Sequence, residues 1–124
     1  MKKIFLILIF ILSYSKASSE NLKFIKIVDL NNPWGSSFLN DNEIIITEKG
    51  GHIKVVNIIN NQVNNLEHNL NFLEDGQGGL LDILHKENKI WISYTENRGN
   101  SKTSTSIALA NLDKKKLDFK NIFQ

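Results

Sequence analysis

The stretch Glu74-Asp75-Gly76-Gln77-Gly78-Gly79-Leu80-Leu81 gathers the residue types best suited to chemistry in this sequence: a carboxylate and a primary amide, interleaved with glycines, just ahead of an apolar run. Asp75 can accept hydrogen bonds. Gln77 can donate and accept at once without carrying charge. Glycine tolerates positive φ and lets a backbone or a ligand approach closely, so Gly76, Gly78 and Gly79 describe a crowded loop mouth. The same turn also fits ordinary turn geometry when taken alone. Arg98, in Asn97-Arg98-Gly99-Asn100-Ser101, carries a guanidinium that suits an anionic ligand or, equally in keeping with its Gly/Asn-rich setting, a solvated hairpin tip. His52, His68 and His85 sit at strand starts or in polar turns and read as surface histidines. Asp82, Glu87, Asp113 and Asp118 lack the spacing of a calcium loop, and neither a His-Glu-x-x-His run nor paired Cys occurs. The sequence therefore presents candidate contact residues, with no catalytic base, nucleophile or metal ligand of its own.

The elements that must position this loop read as strands. Phe24-Ile25-Lys26-Ile27-Val28 is the first short strand signal, broken by Asp29-Leu30-Asn31-Asn32-Pro33. Pro33 fixes a bend, and Trp34-Gly35-Ser36-Ser37-Phe38-Leu39 follows as an inner strand. Asn40-Asp41-Asn42 turns the chain into Glu43-Ile44-Ile45-Ile46-Thr47-Glu48, too short and β-branched for a helix. Lys49-Gly50-Gly51 turns it again into His52–Ile58, whose alternation suits a sheet with one wet face. A weaker outer strand spans Gln62 to Leu66. After the central glycines the pattern restarts: Leu80, Leu81, Ile83 and Leu84 open a buried strand, and Lys89–Glu96 parallels Glu43–Glu48, both units ending in Thr-Glu. A third strand runs over Thr103–Leu112 and a fourth over Leu117–Phe123. The fold class is thus all-β, with two consecutive four-stranded antiparallel meanders at a period of about 45 residues, the pattern of propeller blades over about 34–67 and 78–124. Two blades cannot bury both faces, which implies that further blades complete the structure.

Lys2 and Lys3 precede an unbroken apolar run from Ile4 to Leu12, and Ser15 and Ala17 place small residues for cleavage after Ala17. Residues 1–17 have the layout of a secretory signal peptide, leaving 18–124 as the mature domain; the apolar run is about half the ~20 residues of a membrane span. The expectation is export without a membrane anchor after cleavage. Removing Lys2, Lys3 and Lys16 from 15 basic residues leaves 12 against 13 acidic ones, so the formal +2 becomes about −1. No basic stripe with interleaved aromatics remains, which argues against a nucleic-acid partner. The absence of Cys removes a disulfide framework, so stability must come from packing.

Asn32-Pro33-Trp34-Gly35, Thr47-Glu48-Lys49-Gly50-Gly51-His52-Ile53, Gly76-Gln77-Gly78-Gly79-Leu80-Leu81-Asp82 and Trp91-Ile92-Ser93-Tyr94-Thr95-Glu96 together resemble, in order and spacing, the N-terminal part of the soluble PQQ-dependent aldose sugar dehydrogenases, the glucose/sorbosone dehydrogenase family. The resemblance implies an exported, periplasmic, six-bladed β-propeller that holds pyrroloquinoline quinone and Ca²⁺ and oxidises an aldose to its lactone, passing electrons to an acceptor. It places Gln77 beside the quinone and sugar, with Asp75, Gly76, Gly78 and Arg98 as further candidate neighbours. The family's catalytic histidine lies in a His-Phe/Tyr-Gly-Gly-Arg-like stretch, which does not occur before Gln124, and its metal and main quinone ligands belong to later blades. The expectation is therefore an N-terminal fragment with no catalytic or metal-binding residue, whose cofactors belong to the full-length protein. A non-catalytic binding or scaffolding propeller, a truncated gene product, and a small exported protein that pairs its open edges with itself or a partner are the other readings.

Overall fold

The computed structural model describes residues 22–124, so the signal-peptide expectation for 1–17 lies outside the described residues. Nine strands form two sheets. β1 (Pro33–Asn40), β2 (Glu43–Glu48), β3 (His52–Asn57) and β4 (Val63–His68) make an antiparallel meander, with the two-residue β8 (Lys116–Leu117) added parallel to β4. β5 (Leu80–Lys86), β6 (Lys89–Asn97), β7 (Thr103–Asn111) and β9 (Lys120–Phe123) make the second sheet in that order. The described residues contain no helix.

Local chemistry sets the hairpins. The Asn40 side-chain oxygen accepts the Asn42 N–H at 2.9 Å, an Asx turn that delivers Glu43 into β2. Glu87 and Asn88 both have positive φ (50° and 63°), which matches the twist of β5 and β6 as a two-residue hairpin turn requires. The β-branched run of β2 pairs without a break to β3, from Glu43 opposite Asn57 to Glu48 opposite His52.

The core lies between the sheets. Ile45, Ile53, Val55 and Leu66 of the first sheet meet Leu80, Ile83, Ile90, Ile92, Tyr94, Ala108 and Ala110 of the second, and Leu117 and Phe119 close one side. β1 and β5 approach most closely: a Cβ on Gly35 would fall 2.7 Å from the Asp82 Cα, a spacing that only glycine permits. The Thr47 hydroxyl, fully buried, donates to the Leu81 carbonyl of β5 and accepts the Gly35 N–H at 3.0 Å. His85 adds a bond from its N–H to Ser37 Oγ at 3.0 Å. Backbone-to-hydroxyl bonds across the inner strands thus lock the two sheets in register.

Three expectations need correction. Phe24–Val28 belongs to no strand, and Phe24 is 94% exposed. A strand needs a neighbour with free backbone groups, and none of the described sheet edges reaches it. Leu84 is 54% exposed, not buried, because a register shift between Leu80 and Ile83 slips the alternation and turns Leu84 to the outer face. Leu117–Phe123 is not one strand. Its first part joins the first sheet as β8 and its second part joins the other as β9, with the buried Phe119 between them.

Candidate functional site at the glycine loop

Both arms of the glycine loop are fixed to β6. On the upstream side the Leu73 N–H donates to the Thr95 carbonyl at 2.9 Å, and Phe72 bridges Glu96. On the downstream side the Thr95 N–H donates to the Gly79 carbonyl at 2.9 Å. Between these anchors the Gly78 N–H donates to the Asp75 carbonyl at 2.6 Å, closing a four-residue turn. Gly76, at the first central position, has φ +52°, as a II′-type turn requires, and Gln77 occupies the second. Gln77 is exposed, and its amide makes no hydrogen bond among the described residues. The loop thus presents a polar, uncharged amide to solvent on a constrained turn.

The β2–β3 turn supports the loop from beneath. The Leu80 N–H donates to the Lys49 carbonyl at 3.1 Å, and the Lys49 ammonium donates to the Gly76 carbonyl. Gly79 has φ +144°, and a Cβ there would fall 2.3 Å from the Lys49 oxygen, so no other residue fits. That turn is itself held from behind. The His68 ring donates through Nε2–H to the Gly51 carbonyl at 2.8 Å and accepts the Leu70 N–H at Nδ1, 3.2 Å away, a pairing that one neutral tautomer alone satisfies.

Asp75 is exposed, and it lines a groove of about 540 Å³ shared by the 73–75 segment with Asn97, Gly99, Asn100, Ser101 and Thr103. Arg98 points its chemistry elsewhere. Its guanidinium pairs with Glu96 Oε2 at 3.0 Å and donates from Nε to Ser104 Oγ at 3.1 Å. Glu96 also accepts from Ser106 Oγ at 2.6 Å and Asn121 Nδ2 at 3.0 Å, and Asn121 in turn accepts from the Tyr94 hydroxyl at 2.8 Å. Burial, aided by the nearby Glu96 charge, raises the Tyr94 pKa above the ordinary phenol value despite the Asn121 bond. Arg98 therefore closes a network between β6, β7 and β9.

The structure brings Asp75, Gly76, Gln77 and Gly78 together on one turn and ties Arg98 into the neighbouring hairpin. His68 and His85 are half-buried and bonded to backbone rather than free at the surface; the His85 Nδ1–H donates to the Phe38 carbonyl at 3.1 Å. Among the described residues no three His, Asp or Glu side chains converge to hold a metal ion. A more enclosed cavity of about 140 Å³ lies among Leu39, Val55, Leu66 and Leu112, beyond the other ends of β1 and β7. Asn40, Glu43, Asn64, Asp113 and Lys114 complete its lining, so its walls mix apolar and ionisable groups.

Residue-type reasoning missed the supporting groups Thr47, Glu48 and Lys49. Their signal was the Thr-Glu pair repeated at 47–48 and 95–96. Glu48 is 1% exposed: its Oε1 accepts from the Asn31 N–H at 2.6 Å and the Lys54 ammonium at 2.8 Å, while Oε2 is buried without a partner. Burial pushes this carboxyl up, but the bonds from Lys54 and Asn31 and the charges of Lys54 and His52 together hold its pKa below the ordinary value.

Comparison with known proteins agrees with this geometry. The aldose sugar dehydrogenase YliI of Escherichia coli K12 is 30% identical over 104 aligned positions, covering 77% of this chain and 28% of the relative. The crystal structure of the soluble aldose sugar dehydrogenase of Escherichia coli in its apo form superposes with a TM-score of 0.69 at 30% identity, over 76% of this chain and 30% of that one. The PQQ-bound aldose sugar dehydrogenase of Streptomyces coelicolor shares the fold, with a TM-score of 0.67 at 19% identity over 77% of this chain and 30% of that one. The chain thus spans about 30% of the length of these relatives. With the glucose/sorbosone dehydrogenase model matching residues 30–124, the chain belongs to the glucose/sorbosone dehydrogenase family.

Proposed function

We propose that this chain is the first two blades of an exported, periplasmic β-propeller that, when complete, oxidises an aldose to its lactone with PQQ and Ca²⁺ bound. The observation that carries the proposal is the Gln77 amide, unbonded and exposed on a turn anchored at both ends, at the same end of the inner strands as the start of β1. The residues present fit one edge of a quinone and sugar site. Gln77 can donate to a quinone carbonyl or accept from a sugar hydroxyl, and as an uncharged amide it does not compete for the substrate proton. The bound quinone would supply the hydride acceptor. Asp75 and the backbone of Gly76 and Gly78 would border the substrate and limit water access from this side. In this reading the base that takes the sugar proton comes from a later part of the propeller, where the family resemblance places it.

Two apolar faces support the reading that further sheets flank this pair. Trp34 and Phe38 on the outward side of β1, and Leu84, Ile107 and Phe123 on the outward side of the second sheet, are exposed large hydrophobics of the kind that the two sheets bury between them. The test is to express the product of the full coding sequence and to assay sugar-dependent dye reduction with added PQQ and Ca²⁺. Turnover that requires PQQ, and a fall of roughly tenfold to a hundredfold in kcat/KM on Gln77→Ala, is the expected outcome. A folded product without PQQ-dependent turnover would overturn the enzymatic reading and leave a propeller that only binds.

A further inference from the structure

The end of the molecule that carries Gln77 is assembled through one residue. Lys49 uses all three of its polar groups on different segments. Its N–H donates to the Asn32 carbonyl at 3.0 Å, just before β1; its carbonyl accepts the Leu80 N–H at the start of β5; its ammonium reaches the Gly76 carbonyl inside the glycine turn. The first two are backbone bonds that any non-proline residue would make. The third depends on the side chain and ties the β2–β3 turn to the tip of the loop.

That tie bears directly on Gln77. Gly76 and Gln77 are the central residues of the turn closed by Gly78 N–H and the Asp75 carbonyl. The Gly76 carbonyl belongs to the peptide that joins these two residues, so fixing it fixes the plane from which the Gln77 side chain departs. Glycine at Gly76 would otherwise leave this peptide free to rotate. A charge-assisted bond to that carbonyl selects one orientation. Glu48 steadies the donor's own segment by holding Asn31 and Lys54, one residue to the N-terminal side.

We infer that Lys49 is a positioning residue: its ammonium orients the Gly76–Gln77 peptide and thereby aims the Gln77 amide at the ligand. The inference rests on the proposal that Gln77 faces quinone or sugar, and it makes two separable demands, one on the loop and one on turnover.

The loop demand is tested by amide hydrogen exchange on Lys49→Met, which keeps the length and removes the donor, and on Lys49→Arg, which restores a donor. The Gly78 N–H should exchange about tenfold faster in the Met variant and recover in the Arg variant. The Leu80 N–H, bonded to the Lys49 backbone, should not change. Unaltered Gly78 exchange, or a rise spread evenly over the β6 amides, would overturn the inference, the latter because it reports loss of general stability. The turnover demand is tested in the product of the full coding sequence: Lys49→Met should lower kcat/KM on its own but cause no further loss in a Gln77→Ala background. Independent, additive losses would refute the positioning role. A wild-type protein without turnover would instead defeat the proposed function, and the exchange result would then decide the role of Lys49 in the loop.

Discussion

Glu48 is the residue on which electrostatics has most leverage. A carboxylate this buried is tolerated because Lys54 and the Asn31 N–H meet one oxygen. Its folded pKa lies below the ordinary 4.5, so the pair's contribution to stability is complete above that pH and is lost as pH falls through the folded value. Removing the ammonium by Lys54→Met leaves an uncompensated buried charge and should cost about 3 kcal/mol at neutral pH. In that variant the two contributions of Lys54 no longer oppose desolvation, so the Glu48 pKa should rise relative to the wild type and acidification should erode stability less. Urea denaturation of both proteins across pH 4–8 checks the weaker pH dependence. Gly79 is the steric counterpart. Gly79→Ala must accommodate a methyl 2.3 Å from the Lys49 oxygen at a φ of +144°, and should destabilise by about 2 kcal/mol or more, read as a lower urea midpoint.

At the scale of elements, the contact between β1 and β5 is made by hydroxyls as much as by apolar side chains. The Thr47 hydroxyl serves Gly35 of its own sheet and Leu81 of the next. Thr47→Val keeps the shape and leaves the Gly35 N–H and Leu81 carbonyl short of a partner, for an expected loss of about 2 kcal/mol. Thr47→Ser should retain the bridge and most of the stability. Tyr94→Phe gives a smaller effect, about 1 kcal/mol, because Asn121 keeps its bond to Glu96 when the phenol is gone. Thermal unfolding of the three variants should therefore rank Val below Phe at these sites, and an equal cost for Thr47→Val and Thr47→Ser would count against the bridge.

The described residues form a pair of sheets with a shared buried core and exposed apolar side chains on both flanks. Phe38 at 62% and Phe123 at 61% exposure lie on opposite outward faces, and neither face has a partner among the described residues. Residues 22–124 alone should bind the dye ANS strongly, and the product of the full coding sequence should bind it weakly, because flanking sheets would cover both faces. Equal dye binding by the two would argue that these faces stay open. The antiparallel meanders, the turn at Asn40–Asn42 and the close approach at Gly79 were legible from residue types, since β-branched alternation and turn chemistry act over a few neighbours; the crowding expected at Gly76 is absent, for nothing lies within 4 Å of a Cβ there. The family was legible as well, because its motifs are runs of consecutive residues. Tertiary structure alone decided the rest: that the β-like Phe24–Val28 lies outside any strand, that a bulge after Leu80 turns Leu84 outward, that the final segment divides between two sheets, and that Arg98 is spent on Glu96 while Lys49 reaches the glycine turn. Apart from the Arg98–Glu96 pair, whose partners are two residues apart, each of these depends on which backbone edge or carbonyl comes within about 3 Å, and such distances are set only when strands pair and the two sheets pack.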